Sequence, residues 1–253
     1  MIDGRSSAII GGMKNRIDSS RFNSIIIGES NLISASYASI IGGKANEVAG
    51  SGSSILGSGS STVQAEYSSI GGGRNNRVLT DFSVISGGVN QLGGGVASFI
   101  GGGVQNETEG ISSAVIAGCG NLSEGNQSFV GAGAYNKSRG LYSSIIGGNQ
   151  NTTTANADGS VIVAGTQDTI SGTYSFVAGG GLQYVSGNFA AIAGGSQNRA
   201  EGTQSFIGGG NLNRVVGLNS AVVGGISHEA LGIGVAVMGG ENHGILGQNT
   251  TIA

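Results

Sequence analysis

Proline and tryptophan are absent from this 253-residue chain, cysteine occurs once, and only 10% of residues are charged. Each scarcity excludes something. Without proline the 52 glycines cannot belong to collagen, which needs Gly at every third position with abundant Pro. A lone Cys119 excludes an intrachain disulfide framework. A net charge of only −3 lacks the basic patch of a nucleic-acid binder. Regularly recurring Ile and Val, with so little net charge, argue against disorder. No run reaches the ~18 apolar residues of a membrane helix, so no membrane insertion is expected. The opening residues show no charged-then-apolar leader, so no signal peptide is expected.

What the chain does have is glycine, far above the usual ~7%, and a repeat. With Ser205–Asn219 as reference, coils of 15 residues begin at Ser7, Asn23, Ala38, Ser53, Ser68, Ser83, Ser98, Ser113, Ser128, Ser143, Ser160, Ser175, Ala190, Ser205, Ser220 and Val235. The expected organisation is a single solenoid domain over 1–253: a lead-in over 1–6, sixteen full coils over 7–249, and a partial coil over 250–253. The coils starting at Ser7 and Ser143 carry one and two extra residues near their ends, where a loop can bulge.

Numbering positions within the coil exposes the pattern. Position three is always Ile or Val: Ile9, Ile25, Ile40, Ile55, Ile70, Ile85, Ile100, Val115, Val130, Ile145, Ile162, Val177, Ile192, Ile207, Val222 and Val237. These are the expected structural core. Position six is Gly except at Ser58, as expected of a site needing positive φ. Position nine is mostly Asn: Asn15, Asn31, Asn46, Asn76, Asn106, Asn121, Asn136, Asn151, Asn198 and Asn213, an expected ladder of amides bonding along the column. Position eleven is usually Val or Ile, and position thirteen mostly Gly. Two β-branched centres separated by Gly-rich corners give two short strands per coil, and no 3.6-residue period supports a helix. The expected fold is all-β, a parallel β-solenoid of the left-handed β-roll type. Coils ~4.8 Å apart would make a rigid rod on the order of 75 Å long.

Side chains alternate across a strand. With position three inside, positions two and four face outward, yet they are mostly not polar. Where position two is Phe, position four is small (Phe99 with Gly101, Phe129 with Gly131, Phe176 with Ala178, Phe206 with Gly208). Where position two is small, position four is usually bulky (Ala8 with Ile10, Ser39 with Ile41, Ser54 with Leu56, Ala236 with Met238); Ser69 with Gly71 departs from the rule. Such compensation is what close packing demands. An uncovered stripe of this length exceeds the few hundred Å² usual on a monomer. A homo-oligomer is therefore expected, with Ile10, Ile41, Leu56, Phe99, Ile116, Phe129, Ile146, Phe176, Phe206, Val223 and Met238 at the subunit interface. Threefold association is favoured and twofold face-to-face packing is the alternative. The second strand turns charged residues outward, as in Arg16 and Asp18, Glu107 and Glu109, Arg199 and Glu201, and is read as solvated.

The motif SFIGGGxxNxVxG resembles the repeats of left-handed parallel β-rolls in the heads of trimeric autotransporter adhesins of the YadA type, and those of Gly-rich phage and viral fibre proteins. The resemblance covers nearly the whole chain through a low-complexity pattern. It implies a homotrimer in which each chain forms one roll. Its NxVxG half is similar in coil length to grass ice-binding β-rolls, which present flat Thr/Ser faces. The function expected is a non-catalytic fibre, spike or receptor-binding appendage on a virion or cell surface; the alternatives are a bacterial adhesin head and an ice-binding roll. Expected partners are copies of the chain, a host surface receptor or glycan, and a further domain or chain at the C-terminal end, where the repeat stops mid-coil and position twelve turns apolar at Val216, Leu231 and Leu246.

No catalytic, metal or cofactor site is expected, though several groups were candidates by type. Glu107, Glu109 and Glu124 cluster as a Ca²⁺ or glycosidase site would, but a solvated face with Arg139 next in the column accounts for them. His228 and His243 occupy position nine of adjacent coils and are read as replacing Asn rather than holding a metal. Cys119 has no base partner. Gly101–Gly103 is no phosphate loop, because no GK[ST] follows. Aromatics at position fifteen (Tyr37, Tyr67, Phe82, Tyr142, Tyr174, Phe189) suggest either a sugar-stacking ladder or, preferentially, corner packing against a neighbouring chain.

Overall fold

The computed structural model describes residue 2 and residues 5–18 and 21–253. The chain is an all-β parallel β-solenoid of about 16 turns of ~15 residues with two strands per coil and no helix. It divides into two compact units, residues 1–123 and 124–253. Both are built by the same rule.

In the first unit the strand over positions two and three pairs in parallel with its equivalent one coil later. The register runs Ile9 to Ile25, Ile25 to Ile40, Ile40 to Ile55, Ile55 to Ile70, Ile70 to Ile85, Ile85 to Ile100 and Ile100 to Val115. A second parallel ladder over positions ten and eleven stacks Ile17, Ile33, Val48, Val63 and Val78. In the second unit the position-three column runs from Val130 through Ile145 and Ile162 to Val237 and Ile252. The long coils keep register: Ala8 pairs with Ser24 and Ser144 with Val161. The extra residue of the coil starting at Ser7 belongs to a stretch containing Ser19 and Ser20, outside the described residues.

From Ile25 to Val237 the position-three residues are completely buried, whereas Ile9 is half-buried against the core. Full burial of each such side chain contributes ~1.5–3 kcal/mol. Position eleven is less uniform than its Val/Ile pattern suggests. After Val78 it becomes Gly93, Thr108 and Ser123 in the first unit, and Ser138 and Thr153 open the second. The buried hydroxyls are bonded within the coil interior: Thr108 Oγ1 donates to Ser98 Oγ at 2.9 Å, and Ser138 Oγ and Ser143 Oγ pair at 2.8 Å. Satisfied in this way, they avoid the ~1–3 kcal/mol cost of an unpaired buried polar group.

Three residues per coil turn the corners in left-handed backbone. Position six does so with Gly in fourteen coils, as at Gly12 and Gly210, both at φ 90°. Ser58 and Gly28 are the exceptions. Position eight and the last residue of the coil also have φ of about 50–70°, mostly without Gly: Gln105, Leu182 and Leu212 at the one, Tyr67, Phe82 and Phe189 at the other. Each such non-Gly residue carries a local cost of ~1 kcal/mol or more. The left-handed turn reverses the peptide, so that these N–H groups point to the preceding coil. Ala45 N–H donates to Glu29 O and Tyr67 N–H to Ser51 O, both at 2.9 Å, while the strand N–H groups point to the following coil, as Ser39 N–H does to Ser53 O. The hydrogen bonds gained at both corners offset the strain.

Candidate functional site

The outward side of the first strand presents a run of exposed large hydrophobic side chains to a partner. In the first unit Ile10 is 69% exposed and Leu56 50%, with Ile41, Phe99 and Ile116 also exposed. In the second, Ile146, Phe176, Phe206, Val223 and Met238 are exposed, and Phe129 is half-buried. At Phe129 the compensation between positions two and four rests on a direct contact. A Cβ on Gly131 would lie 3.3 Å from a ring carbon of Phe129 and 2.4 Å from the Ile146 carbonyl; Gly101 and Gly208 face the Ile116 and Val223 carbonyls at the same 2.4 Å. The Phe129 ring folds over its own glycine. The bulky side chain stands at position four in the first four coils and at one or other of the two positions in most coils further on.

The second-strand face is charged and internally paired. Glu201 accepts hydrogen bonds from Arg199 at 2.7 Å and Arg214 at 2.9 Å, and Arg214 also reaches Glu229 at 3.6 Å. Burial pushes the Glu201 carboxyl up, but the two guanidinium groups outweigh it and hold it below the usual carboxylate range. Arg16 pairs with Asp18 on this face, while at the position-seven corner Lys44 pairs with Glu29 at 3.1 Å. Glu107 is pushed up by burial and then by the adjacent Glu109. Glu124 accepts a bond from Arg139 at 2.7 Å. Among the described residues, no group of three or more His, Cys, Asp or Glu gathers as metal ligands would.

The expected amide column at position nine is buried throughout, but its bonds run chiefly to backbone. Asn106 Oδ1 accepts the Asn121 N–H at 3.0 Å, while Asn106 Nδ2 donates to Gly102 O at 2.8 Å and Gly118 O at 3.0 Å. Asn76 and Asn198 repeat the pattern. Direct amide-to-amide bonds, such as Asn31 Nδ2 to Asn15 Oδ1 and Asn213 Nδ2 to Asn198 Oδ1, both 3.2 Å, are an addition to it. Ser61 takes this position in the one coil whose position six is Ser58, and the two hydroxyls bond each other. His228 and His243 stack in the same column with ring centroids 5.1 Å apart, and His228 Nδ1 accepts the His243 N–H at 3.3 Å. Burial first, and His243 second, push the His228 pKa down.

Sequence reasoning missed a second polar column. Position one, used only to mark where coils begin, is a buried serine ladder. Ser175 Oγ donates to Gly187 O of its own coil at 2.8 Å and accepts the Ala190 N–H of the next at 3.2 Å. The recurrence of Ser there, in twelve of the sixteen coils, was the available signal.

The position-fifteen aromatics are exposed at a corner and stack on one another. Centroid separations are 5.3 Å for Phe22–Tyr37, 5.7 Å for Tyr67–Phe82 and 5.5 Å for Tyr174–Phe189, with planes within 15°. Tyr67 and Tyr174 also lean over Gly52 and Gly159, at 2.8 and 2.7 Å from where a Cβ would stand. Stacked in this way, the six rings still remain more than half exposed. Cys119 is half-buried, and its backbone bridges to Val104.

No family model matches the chain, and no curated protein matches it either.

Proposed function

We propose that the chain is a non-catalytic structural subunit of a fibre, spike or receptor-binding appendage, exposed on a virion or cell surface, whose copies associate through the first-strand face, as a trimer. One observation carries this reading: each unit leaves a column of large aliphatic and aromatic side chains open on a face whose inner side is already fully packed. Surface of that kind is the mark of an interaction site, and a homo-oligomeric face repeated at every coil buries all of it with one symmetry operation. The resemblance to adhesin heads and fibre proteins points the same way. Ice binding is disfavoured, because positions ten and twelve mix Arg, Leu, Glu and Lys with only scattered Thr and offer no regular flat array.

Light scattering of the purified chain tests the proposal. The expected mass is three times the 24.8 kDa of one chain. Phe129→Asp and Phe206→Asp, changed together, should lower it while the circular dichroism spectrum stays that of β structure. A monodisperse, soluble monomer of the parent chain would refute the reading.

A further inference from the structure

Position nine performs two tasks in its column. It accepts the N–H of position nine in the following coil, and it donates to two carbonyls. Asn151 does both: its Oδ1 accepts the Asp168 N–H at 3.0 Å, and its Nδ2 donates to Gly147 O at 3.1 Å and Gly165 O at 3.0 Å. One coil later the residue is Asp168, completely buried. Its Oδ1 keeps the accepting task and takes the Gln183 N–H at 2.8 Å. Its Oδ2 stands where the Asn rungs carry an amide nitrogen. A Cβ built on Gly165 would lie 2.0 Å from that oxygen and 2.9 Å from the Gly180 carbonyl oxygen, so both reach the same small space. Oδ2 is buried without a hydrogen-bond partner. Two acceptors converge there with no hydrogen between them unless the carboxyl carries one.

We propose that Asp168 is a proton-binding site of the fold, held as a neutral carboxylic acid whose O–H donates to the Gly180 carbonyl in place of the column's amide N–H. The groups packed against it are Asn151 and Gln183 in the column and Gly165 and Gly180 at the corner, none of which titrates. Burial pushes the carboxyl up, and the Gln183 N–H opposes that in part. The fold therefore binds this proton more tightly than the unfolded chain does. Its contribution is complete below the unfolded Asp pKa of about 4 and is lost as pH rises through the higher folded value. Ionisation sets a carboxylate against a carbonyl in the dry interior and weakens this rung of the second unit.

The test compares denaturant unfolding of the full chain and of Asp168→Asn from pH 4 to pH 8, with the carbon-13 carboxyl resonance of Asp168 followed by NMR. The two proteins should agree most closely at the acid end and diverge as pH rises. The folding constant of Asp168→Asn should then exceed the parent's by about tenfold for each pKa unit by which the fold raises the carboxyl. The resonance should titrate above the range of an ordinary aspartate. Superimposed pH profiles, or a carboxyl titrating near 3.9 as in model peptides, would overturn the proposal. So would stabilisation of the parent at pH 8 by Ca²⁺ that vanishes in Asp168→Asn, since that would replace the proton by a metal ion.

Discussion

Adjacent glycines in one coil should respond oppositely to the same added methyl group. Gly210, at position six, has φ 90°, and a Cβ there would stand 2.1 Å from the Gly225 carbonyl oxygen of the next coil. That oxygen accepts two bonds, from Asn211 N–H and Asn213 Nδ2, both at 3.0 Å. Gly210→Ala costs about 1–2 kcal/mol for the left-handed backbone. Pushing the carbonyl away weakens two hydrogen bonds of about 0.5–1.5 kcal/mol each. The sum is a loss of roughly 2–5 kcal/mol. Gly209, one residue earlier, has no positive φ, and a Cβ there would meet nothing within 4 Å. Gly209→Ala should therefore stabilise by about 0.4–1 kcal/mol through the unfolded chain. Guanidinium unfolding followed by circular dichroism, on both variants and the parent, orders the midpoints as Gly209→Ala, parent, Gly210→Ala. Equal midpoints for the two variants would refute the reasoning, because composition and hydrophobicity are identical and only the corner geometry differs.

Other substitutions probe other layers. Ile207→Ala removes a completely buried rung of the position-three column and should cost about 2–5 kcal/mol in the same unfolding assay; a loss near zero would mean that the coil interior is not packed. His228 is held below its usual pKa by burial and by His243, so the fold binds fewer protons there than the unfolded chain. Its contribution is intact above about pH 6.5 and is lost as pH falls through the lower folded value. His228→Asn should flatten that acid-side slope, and melting curves from pH 5 to pH 8 that keep the slope unchanged would contradict the assignment.

Much of the fold was legible because the residues at positions three, six and nine are each demanded by one physical need: filling a narrow interior, turning a corner at positive φ, and bonding along a column. The other two corners gave no such signal. Position eight and the coil's last residue hold mostly non-Gly residues, from Gln, Leu, Tyr and Phe to Ala and Lys, in left-handed backbone, so local preference was overridden by inter-coil hydrogen bonds that appear only once coils stack. The polar interior at Thr108, Ser138 and Thr153 was hidden for a related reason: these hydroxyls are acceptable inside because the position-one serines Ser98 and Ser143 meet them. The outward apolar face was readable from the compensation between positions two and four, as at Phe129 with Gly131. Asp168 drew no notice, since its meaning depends on which carbonyl the absent amide hydrogen would have met.

Hydroxyl-radical footprinting of the parent chain asks the central question most directly. If copies bind through the first-strand face, Phe176 and Phe206, about 40% exposed in the isolated chain, should be protected from labelling, and the 53% exposed Tyr135 at another corner should be labelled freely. Phe176 and Phe206 reacting as an uncovered surface would, with Tyr135 as reference, contradict the account.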